Sequence, residues 1–568
     1  MKRRISVYKT LSPLLLVGVW ACYNAPVETP APKVNQETDV KVQQNVKNKV
    51  DILFMIDNSP SMSPKQQELK NRFPLLIKTL NDFGKANPAS YHIAVVTSDL
   101  GAGQFNIGNG QCHPGGDGAK LQAVGAAADS QCQPPGMGLP YIVYDQLANQ
   151  SNLPSGTAQD PASTATDANG LGELEWQFDC MASVGDKGCG FEQQLEAPFQ
   201  ALHQNESGFL RDDALLVVVW ITDEDDDCSS PPDSDLFDPS QTQYGALLSY
   251  RGTNYGVMCQ YMGQDSLMPY ADSGGALMSC HGAPNPNGNS KGLPPSGQGK
   301  CYDTSRYINY LTKPAAQGGV KVDPNDVILV GIVAPPSPVE SILANPSPQP
   351  PGPYTQCPGP IDGKTCAVVL QHSCIASTNT SFFGDPAVRI SEVINSSINK
   401  QLTSICDTSY QAALQSLGQL IISKIGAGCI DSPFEDPTNP DCIVENITAN
   451  NDGSTTITEV PSCTPDAQGN VTASTSAPCW ELQSKPICGN GVTSGCCDAT
   501  QYSPPWPTSG VCVKDGDAGQ HFGVSICYNN QCNGGSPPPN TNARVACSTV
   551  AVTPNLQTGL LPMCGAPL

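Results

Sequence analysis

The sequence predicts an α/β protein built on a doubly wound, mostly parallel β-sheet. Short, wholly apolar runs, which are typical of strands buried on both faces, alternate along the chain with stretches of helical periodicity. This alternation predicts parallel strands joined by helices that cover both faces of one sheet. A chain of 568 residues is also longer than a single hydrophobic core normally requires, so we expect a second domain.

Four apolar runs are assigned to buried strands, in chain order 51–56, 91–97, 214–222 and 327–334. The first expected helix starts at Ser63, whose hydroxyl is a suitable N-cap, and Pro64 occupies the first helical position, where no N–H is needed. Apolar residues then recur on one helical face. Three further helices are expected over 191–203, 303–312 and 407–425.

Two long segments, 101–172 and 228–325, interrupt this pattern. Both are rich in Gly, Pro, Asn and Ser and lack sustained periodicity. Loops of this length are uncommon inside compact domains, and disulfide bonds are the expected source of their order. Insertions of this kind often carry recognition surfaces. The first domain is assigned to 47–428, and 429–568 is expected to be a cysteine-rich second domain of strands and loops.

The chain has 25 cysteines, and 24 remain when Cys22 is set aside. An even number suits a framework of up to twelve disulfides in an oxidising compartment. These cysteines divide equally between the two domains, so each domain can pair internally. Their spacing lacks the paired CxxC and His pattern of structural zinc sites. Cys180 and Cys189 are close enough in the chain to be candidate partners.

The N-terminus has the pattern of an export signal. Basic residues precede an apolar stretch, 11–20, that is too short to span a bilayer. Val19-Trp20-Ala21-Cys22 resembles a bacterial lipobox, which implies that 1–22 is a lipoprotein signal and that Cys22 becomes the lipid-modified N-terminus. The alternative is an ordinary secretory signal with an incidental cysteine. Residues 23–46 lack apolar periodicity and are assigned to a disordered tether from an outer-membrane, cell-surface anchor.

The net charge of -23 and the pI near 4.5 argue against a nucleic-acid surface. Binding to phosphates requires clustered Lys and Arg, and such a cluster occurs only in the first ten residues. An acidic surface instead attracts cations, although it does not identify a partner.

A cation site is predicted where two of the expected strands end. Asp57-Asn58-Ser59-Pro60-Ser61 follows the first strand and gathers a carboxylate and two hydroxyls, the oxygen ligands that hard divalent cations prefer. Asp223 begins a second acidic turn after the third strand, and ligands of open α/β sheets bind beyond such strand ends. The predicted ligands are therefore Asp57, Ser59, Ser61 and Asp223. The alternatives are a polar turn at 57–61 and a solvated acidic loop at 223–227, and Asp226 and Asp227 themselves are expected to be solvated.

In this context the sequence resembles a von Willebrand factor A domain over about 47–428. Asp57-x-Ser59-x-Ser61 matches the first part of the metal-ion-dependent adhesion site of that family, and Thr222-Asp223 matches the third part. The resemblance implies that Ser59 and Ser61 bind Mg²⁺, Ca²⁺ or Mn²⁺ through their hydroxyls, while the two aspartates act directly or through water. It also implies an open coordination position for an acidic group of a protein or polysaccharide partner.

The second part of the adhesion site differs between this sequence and the family pattern. Counting back from Leu195, the threonine expected before the middle helix falls on Cys189. A disulfide-bonded cysteine cannot supply a hard oxygen ligand. Three outcomes stay open: a weaker site, an extra water, or additional carboxylate ligands such as Asp99 and Asp225.

The lipobox, the variant metal site and the segments 178–192 and 221–226 together resemble the von Willebrand A lipoproteins of myxobacteria and related δ-proteobacteria, a group that includes a gliding-motility adhesin. This resemblance implies outer-membrane attachment and adhesion to a substratum or to envelope partners. The sequence contains no GxSxG elbow, HExxH or P-loop, so no catalytic residues are assigned. The alternatives are a metal-free structural scaffold of the envelope and a surface hydrolase whose triad assembles only in space.

Overall fold

A computed structural model gives the fold and describes these residues: 36–42, 49–84, 89–146, 148–154, 171–261, 264–267, 277–346, 352–425, 429–430, 442–449, 455–463, 478–484, 522–527 and 541–549. Strands and helices are numbered in chain order. The strands are β1 (Gln36–Val42), β2 (Lys49–Ile56), β3 (Ser90–Thr97), β4 (Ile142–Asp145), β5 (Gln150–Ser151), β6 (Leu215–Ile221), β7 (Val257–Tyr261), β8 (Gln264–Leu267), β9 (Met278–Gly282), β10 (Val327–Val333), β11 (Ser341–Ala344), β12 (Ala367–Leu370), β13 (Cys374–Ile375), β14 (Phe383–Gly384), β15 (Lys400–Ser404), β16 (Cys429–Ile430), β17 (Cys442–Ala449), β18 (Thr455–Val460), β19 (Cys479–Ser484), β20 (Phe522–Cys527) and β21 (Thr541–Thr549). The α-helices are α1 (Ser63–Gly84), α2 (Leu171–Ala182), α3 (Glu196–Gln204), α4 (Tyr250–Gly256), α5 (Thr304–Thr312), α6 (Val388–Asn395) and α7 (Gln411–Ile425).

Seven strands form the central sheet in the order β15-β10-β6-β2-β3-β4-β5. The strands from β15 to β3 are parallel, and β4 and β5 extend one edge antiparallel. The predicted α/β class is confirmed, and the four predicted strands are present with ends shifted by no more than about two residues. Strands β4, β5 and β15 were not predicted, because each is short and mostly half-exposed or exposed and therefore has no long apolar run.

Helices cover both faces of this sheet. On one face α1, α2 and α7 enclose a core in which Phe73 stacks on Phe178, with ring centroids 3.5 Å apart, and Phe54 of β2 packs edge-on against both rings. On the other face α3, α5 and α6 pack against residues that include Trp220 and Tyr307. Because β2 and β6 are buried on both faces, their sequences read as continuous apolar runs.

Helix α3 begins at Glu196, later than the predicted start at residue 191. The preceding residues bond to neighbouring strand ends instead of to a helix. The amide of Gln193 donates to the carbonyl of Ser98 at 3.0 Å, and the side chain of Gln194 donates to Thr222 at 3.3 Å. The segment before α3 is consequently held across the carboxyl edge of the sheet, where it contributes to the site described below.

Six disulfides pair all twelve cysteines of residues 47–428 with one another, as the even division of cysteines predicted. The predicted pair of Cys180 and Cys189 is wrong, because each bonds to the first long insertion: Cys180 to Cys132 and Cys189 to Cys112. A seventh bond, Cys463–Cys479, lies within residues 429–568. Two of these bonds tie the first insertion to α2 and to the segment before α3, whereas Cys228–Cys301 and Cys259–Cys280 close loops within the second insertion. The disulfides fit a protein of an oxidising, extracytoplasmic compartment.

Part of the segment assigned to a tether is a strand. Residues of β1 pair antiparallel with β21, and β21 pairs with β17 in a four-stranded sheet. The segment contains only two alternating apolar residues, Val40 and Val42, which are too few to predict a strand, and its partner strand lies near the other end of the chain. Cys22 and the apolar stretch before it lie outside the described residues. Among the described helices, none combines the length and apolarity needed to cross a bilayer.

Candidate metal centre

The two predicted acidic turns lie side by side at the carboxyl edge of the sheet. They follow β2 and β6, which are adjacent parallel strands at the point where the strand order reverses. The amide of Asp57 donates to the carbonyl of Ile221 at 3.0 Å, so the first turn continues the strand pairing by one residue. This reversal point is the usual ligand position in open α/β sheets.

Asp57 is fully buried and is held by three hydrogen bonds. Its Oδ1 accepts from the amide of Ser59 at 2.7 Å and from the hydroxyl of Ser98 at 3.4 Å, and its Oδ2 accepts from the hydroxyl of Thr222 at 2.6 Å. Burial and the nearby charge of Asp223 raise the pKa of Asp57 to about 6, against the lowering effect of these donors. Its position is therefore fixed before any ligand binds.

Three further oxygen atoms form a chain beside Asp57. The hydroxyl oxygens of Ser59 and Ser61 are 3.2 Å apart, and the Ser61 hydroxyl donates to Oδ1 of Asp223 at 3.0 Å. Ser59 and Asp223 are 2% and 1% exposed, whereas Ser61 is partly exposed next to the exposed Pro60. The structure thus brings the four predicted ligands together, and solvent reaches them on the Ser61 side.

The buried ammonium group of Lys65 contacts this chain of oxygens. Nζ of Lys65, in the first turn of α1, is 2.5 Å from Oδ2 of Asp223 and 3.2 Å from the carbonyl of Ser61. The ammonium also lies 4.1 Å from the centroid of the Phe383 ring. Asp223 consequently presents one oxygen to Ser61 and the other to Lys65.

The additional candidate ligands make other contacts. Asp99 accepts from the amides of Gly101 and Cys189, at 2.8 and 3.1 Å, and so fixes two loops. Asp225 accepts from two amides in the first turn of α6, those of Arg389 and Ile390. Both carboxylates accept hydrogen bonds from backbone amides, and this role accounts for an aspartate at each position without a metal ion. Cys189, at the expected threonine position, is bonded to Cys112 and offers no oxygen.

The interpretation of 226–227 as a solvated loop is wrong. Asp226 is 0% exposed; it accepts from the guanidinium of Arg389 at 3.2 Å and from the amide of Leu195 at 3.0 Å. Asp227 is 2% exposed, and its amide donates to the carbonyl of Glu192. Charge runs are usually solvated, but this one folds inward because a buried arginine and several amides neutralise part of it.

Asp227 belongs to a group of three buried carboxylates that the sequence did not identify. Ligand oxygens of Glu192, Glu224 and Asp227 all lie within 4.8 Å of one another. Burial is the main cause that raises the pKa of each carboxyl well above its ordinary value. Repulsion from neighbouring carboxylates is second, from Glu224 on Glu192 and Asp227, and from Asp223 and Asp385 on Glu224. Such a group has the chemistry to hold a metal ion.

Two further residues at the carboxyl edge of the central sheet, Ser98 and Glu192, were not predicted as site residues. Ser98 directly follows the predicted strand that neighbours β2, so its approach to Asp57 could be expected from strand adjacency alone. Glu192 lies in a segment that looked helical, and its position depends on the path of the chain between Cys189 and α3.

No protein-family model matches the sequence, and no curated protein is significantly similar to it. Solved structures of bacterial pilus adhesins show distant similarity. SpaC of Lactobacillus rhamnosus GG aligns over 90% of this chain and 40% of its own, with a TM-score of 0.28 and 10% identity. RrgA of Streptococcus pneumoniae aligns over 90% of this chain and 58% of its own, with a TM-score of 0.27 and 12% identity. The chain therefore spans less than two thirds of either adhesin, and similarity at this level identifies no family or site.

Proposed function

We propose that this chain is a surface protein that binds a partner through a divalent cation held by Asp57, Ser59, Ser61 and Asp223. The spacing of Ser59 Oγ, Ser61 Oγ and Asp223 Oδ1, with successive separations of 3.2 and 3.0 Å, carries the proposal. Adjacent ligands of an octahedral Mg²⁺ at 2.0–2.1 Å lie about 3 Å apart. The donor set of hydroxyls and carboxylates is that of a hard cation, so the residues present fit the ion.

The partner is expected to supply an acidic group. Asp57, Ser59 and Asp223 are buried, so a ligand of the cation would have to approach beside the partly exposed Ser61. A coordination position of the bound cation that the protein does not fill can accept a carboxylate oxygen, and proteins and acidic polysaccharides both supply such groups. When bound, the ion would supply positive charge for that carboxylate, while Thr222 and Ser98 keep Asp57 in place.

Calorimetric titration of Mg²⁺ and Mn²⁺ into the full chain tests the cation site. Wild type and an Asp212→Asn control, whose side chain is exposed, are expected to bind, and Asp57→Asn is expected not to bind. Equal binding by all three proteins would overturn the proposal. Ser61→Ala, which changes a partly exposed hydroxyl, is the second variant if Asp57→Asn fails to fold.

Retention on immobilised polygalacturonate tests the partner chemistry. Binding by wild type in Mg²⁺, lost in EDTA and in Asp57→Asn, would support recognition of a carboxylate through the cation. Retention that is insensitive to both changes would contradict it.

The Lys65–Asp223 ion pair favours a second candidate, the metal-free scaffold. An ammonium 2.5 Å from Asp223 neutralises that carboxylate without a metal. For the scaffold, Mg²⁺ should change neither the heat of titration nor the melting temperature of wild type.

We also propose that the chain is exported and lipid-anchored through Cys22, in keeping with its disulfides and with its resemblance to von Willebrand A lipoproteins. Incorporation of labelled fatty acid by wild type, and none by Cys22→Ser, is the expected result. Equal labelling of both would refute the anchor.

A further inference from the structure

We infer that Glu192, Glu224 and Asp227 form a second cation site, separate from the Asp57 site and suited to Ca²⁺. Their ligand oxygens lie within 4.8 Å of one another. Two oxygens bound to the same Ca²⁺ at 2.3–2.6 Å are at most about 5 Å apart, so a single ion can contact all three carboxylates.

The carboxylates are buried and incompletely paired. Glu192 is 1% exposed, Asp227 2% and Glu224 9%. Glu192 Oε2 and Asp227 Oδ2 are buried and have no hydrogen-bond partner. Buried polar atoms almost always have partners, and one that lacks a partner points to an unseen water or ion. Two such atoms in one acidic group indicate a missing positive charge.

Basic side chains do not provide that charge. Lys65 pairs with Asp223 and Arg389 pairs with Asp226, which are both outside the group of three. In the part of the chain that the structure describes, no ion pair joins Glu192, Glu224 or Asp227 to a basic residue. Burying three like charges without a counter-ion is prohibitive, so either protons or a cation must neutralise them.

The number and kind of ligands favour Ca²⁺ over Mg²⁺. Calcium accepts six to eight oxygens in irregular arrangements and tolerates several carboxylates, whereas magnesium usually takes one or two carboxylates and keeps its waters. Three carboxylates of one site therefore suit Ca²⁺, whereas the hydroxyl-rich set around Asp57 suits Mg²⁺.

A cleft gives the site access to solvent. Its volume is ≈ 50 Å³, and Glu224, Asp227 and Asp385 line it together with Tyr250 and Tyr354. A cation entering from this side would meet Glu224 and Asp227 first, and water in the cleft could complete its coordination. Glu192 is not among the lining residues and would contact the ion from the protein side.

The bound ion would fasten the acidic loop to the segment before α3. Asp227 already donates its amide to the carbonyl of Glu192 at 2.9 Å, and the amide of Glu224 donates to Thr222 at 3.1 Å. Because Thr222 holds Asp57, this second ion would also stabilise the framework of the first site.

Equilibrium dialysis against Ca²⁺ without Mg²⁺, followed by metal analysis, tests the inference on the full chain. Compared with wild type, the double variant Glu192→Gln and Asp227→Asn is expected to lose one Ca²⁺ per chain. Asp57→Asn is expected to keep that ion, and Asp212→Asn is the exposed control. Wild-type levels of calcium in the double variant, or none in wild type, would overturn the second site.

The double variant could also fail to bind Ca²⁺ because it is misfolded. Thermal unfolding distinguishes that outcome from the loss of the site. Its amides are close in size to the carboxyls and remove repulsion, so without metal it should melt at or above the temperature of wild type. Calcium should raise the melting temperature of wild type and leave that of the double variant unchanged. A wild type insensitive to Ca²⁺ would mean that protons neutralise the group. If wild type binds Ca²⁺ but does not bind Mg²⁺, only the first site is refuted.

Discussion

Nζ of Lys65 lies 2.5 Å from Oδ2 of Asp223, and both side chains are fully buried. The lysine comes from the start of α1 and the aspartate from the end of β6, so the pair joins the two turns that form the candidate metal centre. A buried charge pair is weak evidence of stability, but the loss of one partner leaves the other charge uncompensated.

Lys65→Met is therefore expected to destabilise the metal-free protein by about 3–5 kcal/mol. Added Mg²⁺ should restore part of this loss if Asp223 is a ligand, because the ion replaces the missing positive charge. Chemical denaturation with and without Mg²⁺ measures both effects. Lys120→Met, at an exposed position outside the site, is the control. No restoration by Mg²⁺ would favour the metal-free scaffold.

Gly188→Ala should disturb the Asp57 site through a steric clash. A Cβ at Gly188 would lie 2.2 Å from Oδ1 of Asn58, whereas a Cβ at Gly190 meets only Glu192 Oε1, at 4.0 Å. We expect Gly188→Ala to lower stability by about 1–3 kcal/mol and to weaken Mg²⁺ binding, and Gly190→Ala to change neither. Calorimetry on both variants checks this, and equal effects would argue against the clash.

Thr222→Val should leave Oδ2 of Asp57 without the hydroxyl that donates to it at 2.6 Å. The unpaired buried carboxylate oxygen is expected to cost about 1–3 kcal/mol of unfolding free energy. Urea denaturation measures the loss, with Thr378→Val at an exposed position as the control. An unchanged midpoint would show that Asp57 does not depend on Thr222.

Removal of the Cys112–Cys189 disulfide by two alanine substitutions is expected to cost about 4 kcal/mol, because it closes a loop with a sequence separation of 77. The same change at Cys357–Cys366, with a separation of 9, should cost about 2–3 kcal/mol. Denaturation midpoints of the two variants give the comparison. The reverse ranking would mean that local packing outweighs chain entropy.

His92 should make the protein acid-sensitive. Its Nδ1 lies 2.8 Å from the carbonyl of Phe209, and burial, with the charge of Arg211 second, lowers its pKa to about 4. A histidine with a lowered folded pKa contributes stability above its unfolded pKa of about 6.5, and that contribution is lost as pH falls toward 4. Between about pH 7 and 4.5, wild type should lose on the order of 2 kcal/mol more than His92→Gln. Urea titrations at both pH values measure this difference, with exposed His203→Gln as control; parallel losses in all three proteins would contradict it.

Local patterns in the sequence predicted much of the sheet and the neighbourhood of Asp57. The runs that became β2, β3, β6 and β10 are apolar because these strands are buried on both faces, and the pattern requires no distant information. The meeting of Asp57 and Asp223 follows from the same reasoning, since both turns end parallel strands.

The amino-acid sequence by itself determined the α/β class and which turns carry clustered carboxyl and hydroxyl groups, because strand periodicity and turn composition are local properties. Only the tertiary structure decided that Lys65 reaches Asp223, that Cys189 bonds to Cys112, and that Glu192 joins the acidic loop. These contacts depend on the paths of long connecting segments and on which charges can be buried together. Spacing along the chain does not specify either.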